Sequence, residues 1–384
     1  MSNIQKYDYI IVGAGITGMI FANELSKKGK VLIIEKNDCV GGVCKDYLAH
    51  GIRVNEYGPH IFHTKYPEIK KYLSQFTQWN KHSLQELYDM NGTLLPIPIN
   101  LVSIGKLEID DVDKIRQSLL KKYNRNDKIK LKELIESSNP YLKHLGKFIY
   151  DNIYYKDYKK LYDVSDEETY ELAKNMTAVD ISYDCRRYKD KYQAVPSQGY
   201  AKMFKRMMTN SNISIVLNTN YKELIKIDYK NASIYYEEEL FEGHLIFTGK
   251  IDEFFNYEYG HLPYRSSTFL NENINRNFFQ NNAVIYRDEK YHFRKITEYK
   301  YITGQRNLNT CIQFEYPENY VEEGENKNVA LYPIRTESNM KIYDKYFEKS
   351  NEFPNITFMG RLATYENYPM DMIVKNVLKT VKEI

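Results

Sequence analysis

The segment Gly13-Ala14-Gly15-Ile16-Thr17-Gly18 constrains the fold more than any other stretch of the chain. It follows residues 7–12 (YDYIIV), an apolar, β-branched run that reads as a buried strand ending at Val12. It opens a helical pattern carried by Met19, Ile20, Ala22 and Leu25, and a second apolar run, Val31–Ile34, closes on Glu35. This is a strand–helix–strand unit with G-x-G-x-x-G at its first turn. The glycines permit the tight turn and the close approach of backbone to a pyrophosphate, while the helix N-terminus offers N–H donors. Glu35, 20 residues beyond Gly15 and followed by Lys36, is placed to accept a ribose hydroxyl. Gly41-Gly42 follows, letting the chain pass close to the cofactor. That pattern is more like flavoproteins than nicotinamide dehydrogenases, so the expected cofactor is FAD, with NAD(P)H as a candidate external reductant.

Length requires more than this one unit, since 384 residues exceed an ordinary single core. A net charge of +3 with no basic tail gives no electrostatic case for nucleic acid. No apolar run reaches the roughly 18 residues that span a bilayer. Cys39, Cys44, Cys185 and Cys311 show no metal-ligand spacing, so no metal site is expected and a reducing, cytoplasmic setting is. A homodimer remains open.

Residues 57–64 (YGPHIFHT) place His60 and His63 about Ile61 in a Gly-Pro loop that begins at Tyr57. Histidine there can donate to flavin ring atoms or stabilise developing charge; the plainer reading is a satisfied core histidine. Apolar residues at helical spacing over residues 105–175 read as a helical insertion, with 156–160 (KDYKK) as a solvated face. Short β-like runs follow, including 213–217, 233–236, 245–247, 283–286, 299–302 and 310–314, and suggest an antiparallel sheet. Arg265, Arg287, Arg294, Lys295 and Lys300 make that region basic enough for a diphosphate, although Asp288, Glu289 and Glu298 interleave with them as on an ordinary surface. Near the end, Gly360-Arg361 follows a strand, and Pro369-Met370-Asp371 opens a last helix whose N-terminus would suit an anionic reduced flavin.

Together these residues resemble the UDP-galactopyranose mutase family of flavoproteins, over residues 7 to about 378. The most specific pieces are 57–64 (YGPHIFHT) and 360–365 (GRLATY), supported by 95–101 (LPIPINL), 191–200 (KYQAVPSQGY) and 296–300 (ITEYK). The resemblance implies an α/β chain: a Rossmann-type FAD-binding domain, a helical insertion domain and an antiparallel β-sheet domain. We expect the first at 1–78, 201–250 and 320–384, the second at 100–178 and the third at 79–99, 179–200 and 251–319. It implies a non-redox isomerase that converts a nucleotide-diphosphate sugar between pyranose and furanose through a reduced-flavin N5–sugar adduct, with UDP-galactose as the default. A different nucleotide sugar, or a flavin oxidoreductase on the same scaffold, is the alternative. By the same resemblance His60 and His63 lie against the flavin ring, and Gly249 and Arg361 join the FAD site. The substrate half departs from the family. Met176 stands where one diphosphate-clamping arginine is expected, Lys295 where the other is, and Tyr162 at the lid tryptophan. Arg187 replaces a tyrosine, and residues 153–162 offer no clean counterpart to the aromatic positions that hold uridine. Arg187, Arg294, Lys295, Tyr316 and Tyr162 are therefore the substrate candidates.

Overall fold

A computed structural model describes residues 6–279, 284–287 and 290–384. Ala283, Asp288 and Glu289 lie outside the described residues, as does the side chain of Arg287.

Five parallel strands form the nucleotide-binding sheet, in the order Ile213–Val216, Val31–Ile34, Tyr9–Val12, His244–Phe247, Ile356–Phe358. Side chains alternate between the faces of a strand, so each face needs its own cover. Ile11, Ile33 and Ile246 pack beneath the helices Ile16–Leu25, Tyr200–Met207 and Met370–Thr380. Ile10, Leu32 and Leu245 bury on the other face, with Phe247, Phe254 and Tyr346.

A seven-stranded sheet lies beside it, in the order Tyr332–Pro333, Tyr264–Ile274, Thr310–Asn319, Lys295–Glu298, Val284–Arg287, Glu86–Met90, Thr93–Ile97. Its pairs are antiparallel except one, Val284–Arg287 with Glu86–Met90, which is parallel. Tyr332–Pro333, expected with the nucleotide-binding segments, pairs instead with Tyr264 and Arg265. Residues 299–302, expected as strand, lie in the helix Tyr299–Thr303. Tyr299, Ile302 and Thr303 bury at helical spacing, and Gly304 ends the turn in the left-handed region.

The helical layer is built around Ile115, Leu119, Leu131, Leu134, Leu142, Leu145 and Ile149, all fully buried. One helix begins at Asn139, whose side chain accepts from the Tyr141 and Leu142 N–H groups with Pro140 at the first helical position. Pro140–Ile149 runs without a break through a π-helical turn, Tyr150–Tyr154, into Tyr155–Tyr162, and Asp163 stops it in the left-handed conformation. A capping box of Ser165 and Glu168 starts the next helix. The cluster 156–160 is half-buried throughout, contrary to the solvated face expected of it. No helix among the described residues is long and apolar enough to cross a membrane.

Candidate functional site

The glycine turn offers a cradle for a dinucleotide. Gly13 has φ +99, and a Cβ on Gly18 would fall 2.0 Å from the Gly13 carbonyl oxygen, so both positions require glycine. Gly15 differs, because a Cβ there meets no protein atom within 4 Å. The space over Gly15 is the room a pyrophosphate needs. The helix Ile16–Leu25 begins there with no side-chain cap, leaving its first N–H groups for a ligand. Gly41 donates to the Ala14 carbonyl at 2.9 Å, and Gly42, at φ +52, packs against Gly15. Thr17 is buried beside Gly360, which has φ +107. These residues fit a dinucleotide cofactor. Glu35 is buried and already accepts from the Ala14 N–H at 2.7 Å and from the Asn37 N–H and side chain at 2.9 and 2.7 Å. Lys36 is exposed, whereas Asp371, in the first turn of the last helix beside Met370, is buried. A Cβ on Gly249 would meet the Phe247 ring at 2.8 Å.

The structure holds two cavities of about 150 Å³ each, one of them beside Val43 and Arg361, the neighbours in sequence of Gly42 and Gly360. The nearer is lined by Val43, Tyr57, His60, Lys295, Tyr332, Arg361 and Asn367. His60 Nδ1 donates to the Gly58 carbonyl at 2.9 Å, which leaves Nε2 as an acceptor while the ring is neutral. Burial, then the Arg361 charge, pushes its pKa down to about 4. Arg361 donates to the Leu331 carbonyl at 2.9 Å and has no carboxylate partner among the described residues. Burial accordingly lowers its pKa.

His63 lines neither cavity. On the strand Phe62–Thr64, Phe62 and Thr64 bury on one face, so His63 turns to the other. There Nδ1 lies 2.6 Å from Asp190 Oδ2 and the ring stacks on Tyr188 at 3.6 Å. The two histidines expected against one ring are thus separated, and Ile61 packs in the core beneath.

The farther cavity lies between the helical layer and the mixed sheet. Its walls are Ile97, Ile99, Ile153, Met176, Tyr88, Tyr154, Tyr158 and Tyr286, with two ion pairs. Arg187 Nε is 3.1 Å from Glu86, and Arg294 grips Asp157 through two contacts of 2.8 Å. Lys295, next to Arg294, faces the nearer cavity and reaches Glu315 at 2.8 Å. Glu315 also accepts from Tyr332 Oη at 2.9 Å and lies 3.6 Å from Arg294, so one buried carboxylate ties the two cavities together. Burial opposes that charge, but Lys295 and then Arg294 outweigh it and hold the carboxyl down to about 2. Burial likewise opposes the Lys295 charge, and Glu315 outweighs it, raising the pKa.

Of the substrate candidates, Arg187 and Arg294 share the farther cavity, Lys295 lines the nearer one, and Tyr162 and Tyr316 line neither. Tyr162 packs on Tyr158, and Tyr316 on Phe293. Met176 stands in the wall with the two arginines. Sequence reasoning missed Tyr154, Asp157 and Tyr158. Tyr154, Tyr158 and Tyr162 recur at four-residue spacing, and that stripe was the available signal.

A family profile described as UDP-galactopyranose mutase matches residues 152–367, and one described as an NAD(P)-binding Rossmann-like domain matches residues 11–76. The UDP-galactopyranose mutase of Mycoplasma genitalium is 30% identical over 389 aligned positions, spanning 100% of this chain and 96% of that protein. The dTDP-fucopyranose mutase of Escherichia coli is 27% identical, spanning 96% of each. A crystal structure of reduced UDP-galactopyranose mutase shares the fold at a TM-score of 0.72 and 15% identity, covering 98% of this chain and 95% of that one. A putrescine oxidase variant shares it at 0.57 and 14%, covering 98% of each.

Proposed function

The chain belongs to the UDP-galactopyranose mutase family, and on that premise we propose that it holds FAD and interconverts the pyranose and furanose forms of a nucleoside-diphosphate sugar. Reduced flavin, when bound, supplies nucleophilic chemistry at the anomeric carbon with no net redox change. Everything else falls to this chain. The glycine turn and the uncapped helix Ile16–Leu25 hold the pyrophosphate of the cofactor. Arg361 supplies a cation not already neutralised, and His60 supplies a neutral acceptor beside it. Tyr154, Tyr158 and Tyr286 offer stacking faces for the nucleobase. Arg187, Arg294 and Lys295 lie between base and sugar, where the diphosphate has to pass.

The observation that carries this reading is that the neighbouring residues Arg294 and Lys295, both beside Glu315, line two cavities, one walled by aromatic side chains and the other by His60 and Arg361. UDP-galactose is the default substrate and dTDP-fucose the second, following the relatives. The proposal places the enzyme in the cytoplasm, with NAD(P)H as reductant and a homodimer as its assembly. The test is anaerobic turnover of dithionite-reduced protein with UDP-galactopyranose and dTDP-fucopyranose, with chromatography of the products and UDP titration of Arg187→Ala and Lys295→Ala. Furanose product is expected, and each substitution should weaken UDP by about 10- to 100-fold, the value of a charge-assisted contact. No furanose from any nucleotide sugar would overturn the mutase reading. Unchanged UDP affinity in both variants would remove these cations from the substrate site.

A further inference from the structure

Asp157 and Glu86 are the carboxylates of the farther cavity, which a phosphate-binding role does not explain, and Asp157 is the one held by both its oxygens. It projects from the helix Tyr155–Tyr162 and meets Arg294 with both carboxylate oxygens, Oδ1 on Nε and Oδ2 on Nη2, each at 2.8 Å. That two-pronged grip is also how a guanidinium holds a phosphate. The two side chains are only 13% and 10% exposed, so the pair is shielded from solvent at the cavity wall. The remaining arm, Nη1, lies 3.6 Å from Glu315. The guanidinium fork is therefore already occupied by an anion of the chain itself.

We propose that Asp157 is a specificity-determining residue that competes with the substrate diphosphate for Arg294. The proposal rests on the nucleotide-sugar reading above. Without Asp157 the arginine would keep only Glu315, which it shares with Lys295, and its Nε–Nη2 edge would be open to any small anion. Asp157 occupies that edge. A neutral nucleoside that enters gains little from Arg294, because its two-pronged edge is in use. A nucleoside diphosphate brings phosphate oxygens of the right geometry and a base that can stack on Tyr154 and Tyr158, the residues flanking Asp157 on its helix. Only such a ligand repays displacement of the carboxylate. The exchange lowers affinity for the diphosphate and speeds its departure, and it biases the site against monoanions.

The test is calorimetric titration of the FAD-loaded protein with UDP and dTDP, each against its own nucleoside, for wild type, Asp157→Asn and Asp157→Glu. Asn keeps the shape and removes the charge. The expected result is diphosphate binding about tenfold tighter in D157N, with the nucleosides changed less than about twofold. D157E should stay within about twofold of wild type. In steady state KM should fall in D157N by the same factor as the dissociation constant, without a matching rise in kcat. Diphosphate affinity that is unchanged or weaker in D157N overturns the inference alone. So does equal tightening of nucleoside and diphosphate, which is what a purely structural residue would give. Absence of diphosphate binding in wild type and variants alike overturns the nucleotide-sugar reading and this inference with it. Should D157N fail to fold, Asp157→Ser takes its place with the same arms.

Discussion

Replacing Glu315 by Gln removes a carboxylate that contacts a cation of each cavity, Arg294 and Lys295. Glu315 is 1% exposed, lies 2.8 Å from Lys295 and 3.6 Å from Arg294, and accepts from Tyr332 and Ser267 at 2.9 and 3.2 Å. Its carboxyl is held down to about 2 from an ordinary 4.5. At about 1.4 kcal/mol per pH unit, that gap corresponds to roughly 3 kcal/mol. The figure agrees with the roughly 3–5 kcal/mol lost when one partner of a buried ion pair is deleted. The sign follows from the depressed pKa. The stabilisation is fully present above about 4.5, the unfolded value, and disappears as pH falls toward about 2. Glu315→Gln should therefore unfold about 3 kcal/mol more easily at pH 7 in guanidinium titration. It should also lose much of the stability slope that wild type shows between pH 4.5 and 2. A double variant with Lys295→Met should recover part of the loss, since the stranded cation goes with it. A loss under about 1 kcal/mol at pH 7, with the acid limb unchanged, would refute the assignment of Glu315 as the electrostatic centre of the site.

Three further outcomes follow from the glycine turn and from the surroundings of His60. Gly15→Ala should fold with a melting temperature near wild type, because its Cβ meets no protein atom within 4 Å, yet it should purify without the yellow cofactor. Gly18→Ala should lose stability as well, since its Cβ would sit 2.0 Å from the Gly13 oxygen; a Gly15→Ala protein that retains the flavin would contradict the cradle. The His60 ring should titrate with a midpoint near 4 in NMR of the labelled side chain, and a midpoint above 6 would show that Arg361 and burial do not govern it.

What could be read in the chain divides by the range of the interactions. The turn Gly13–Gly18 was legible because local backbone geometry dictates its residue types, and the strand Val31–Ile34 was legible from its apolar run. His60 and His63 were not separable, because a spacing of three residues does not say which face of a short strand each occupies. Residues 299–302 were misread because a short apolar run fits either period; Gly304 and the burial of Tyr299 and Ile302 decided for helix. Asp157 looked like part of a solvated charge cluster because its partner, Arg294, is 137 positions away. The ion pairs that line the farther cavity join distant segments, and no local pattern announces them.

The wide turn at Tyr150–Tyr154 has a consequence for how this site can change. An α-helix advances about 100° per residue, so one additional residue in a turn offsets every later side chain by about that angle. Upstream of the offset, Leu142, Leu145 and Ile149 face the hydrophobic interior; downstream, Tyr154, Asp157 and Tyr158 face the cavity. A single rod thus carries two stripes whose phases are set independently. Tyr154 and Tyr158 also pack against that hydrophobic interior, so substitutions there act on the rod's packing as well as on the cavity wall. Of this chain's departures from the family, Tyr162 falls in that downstream half, whereas Met176, Arg187 and Lys295 lie on other segments.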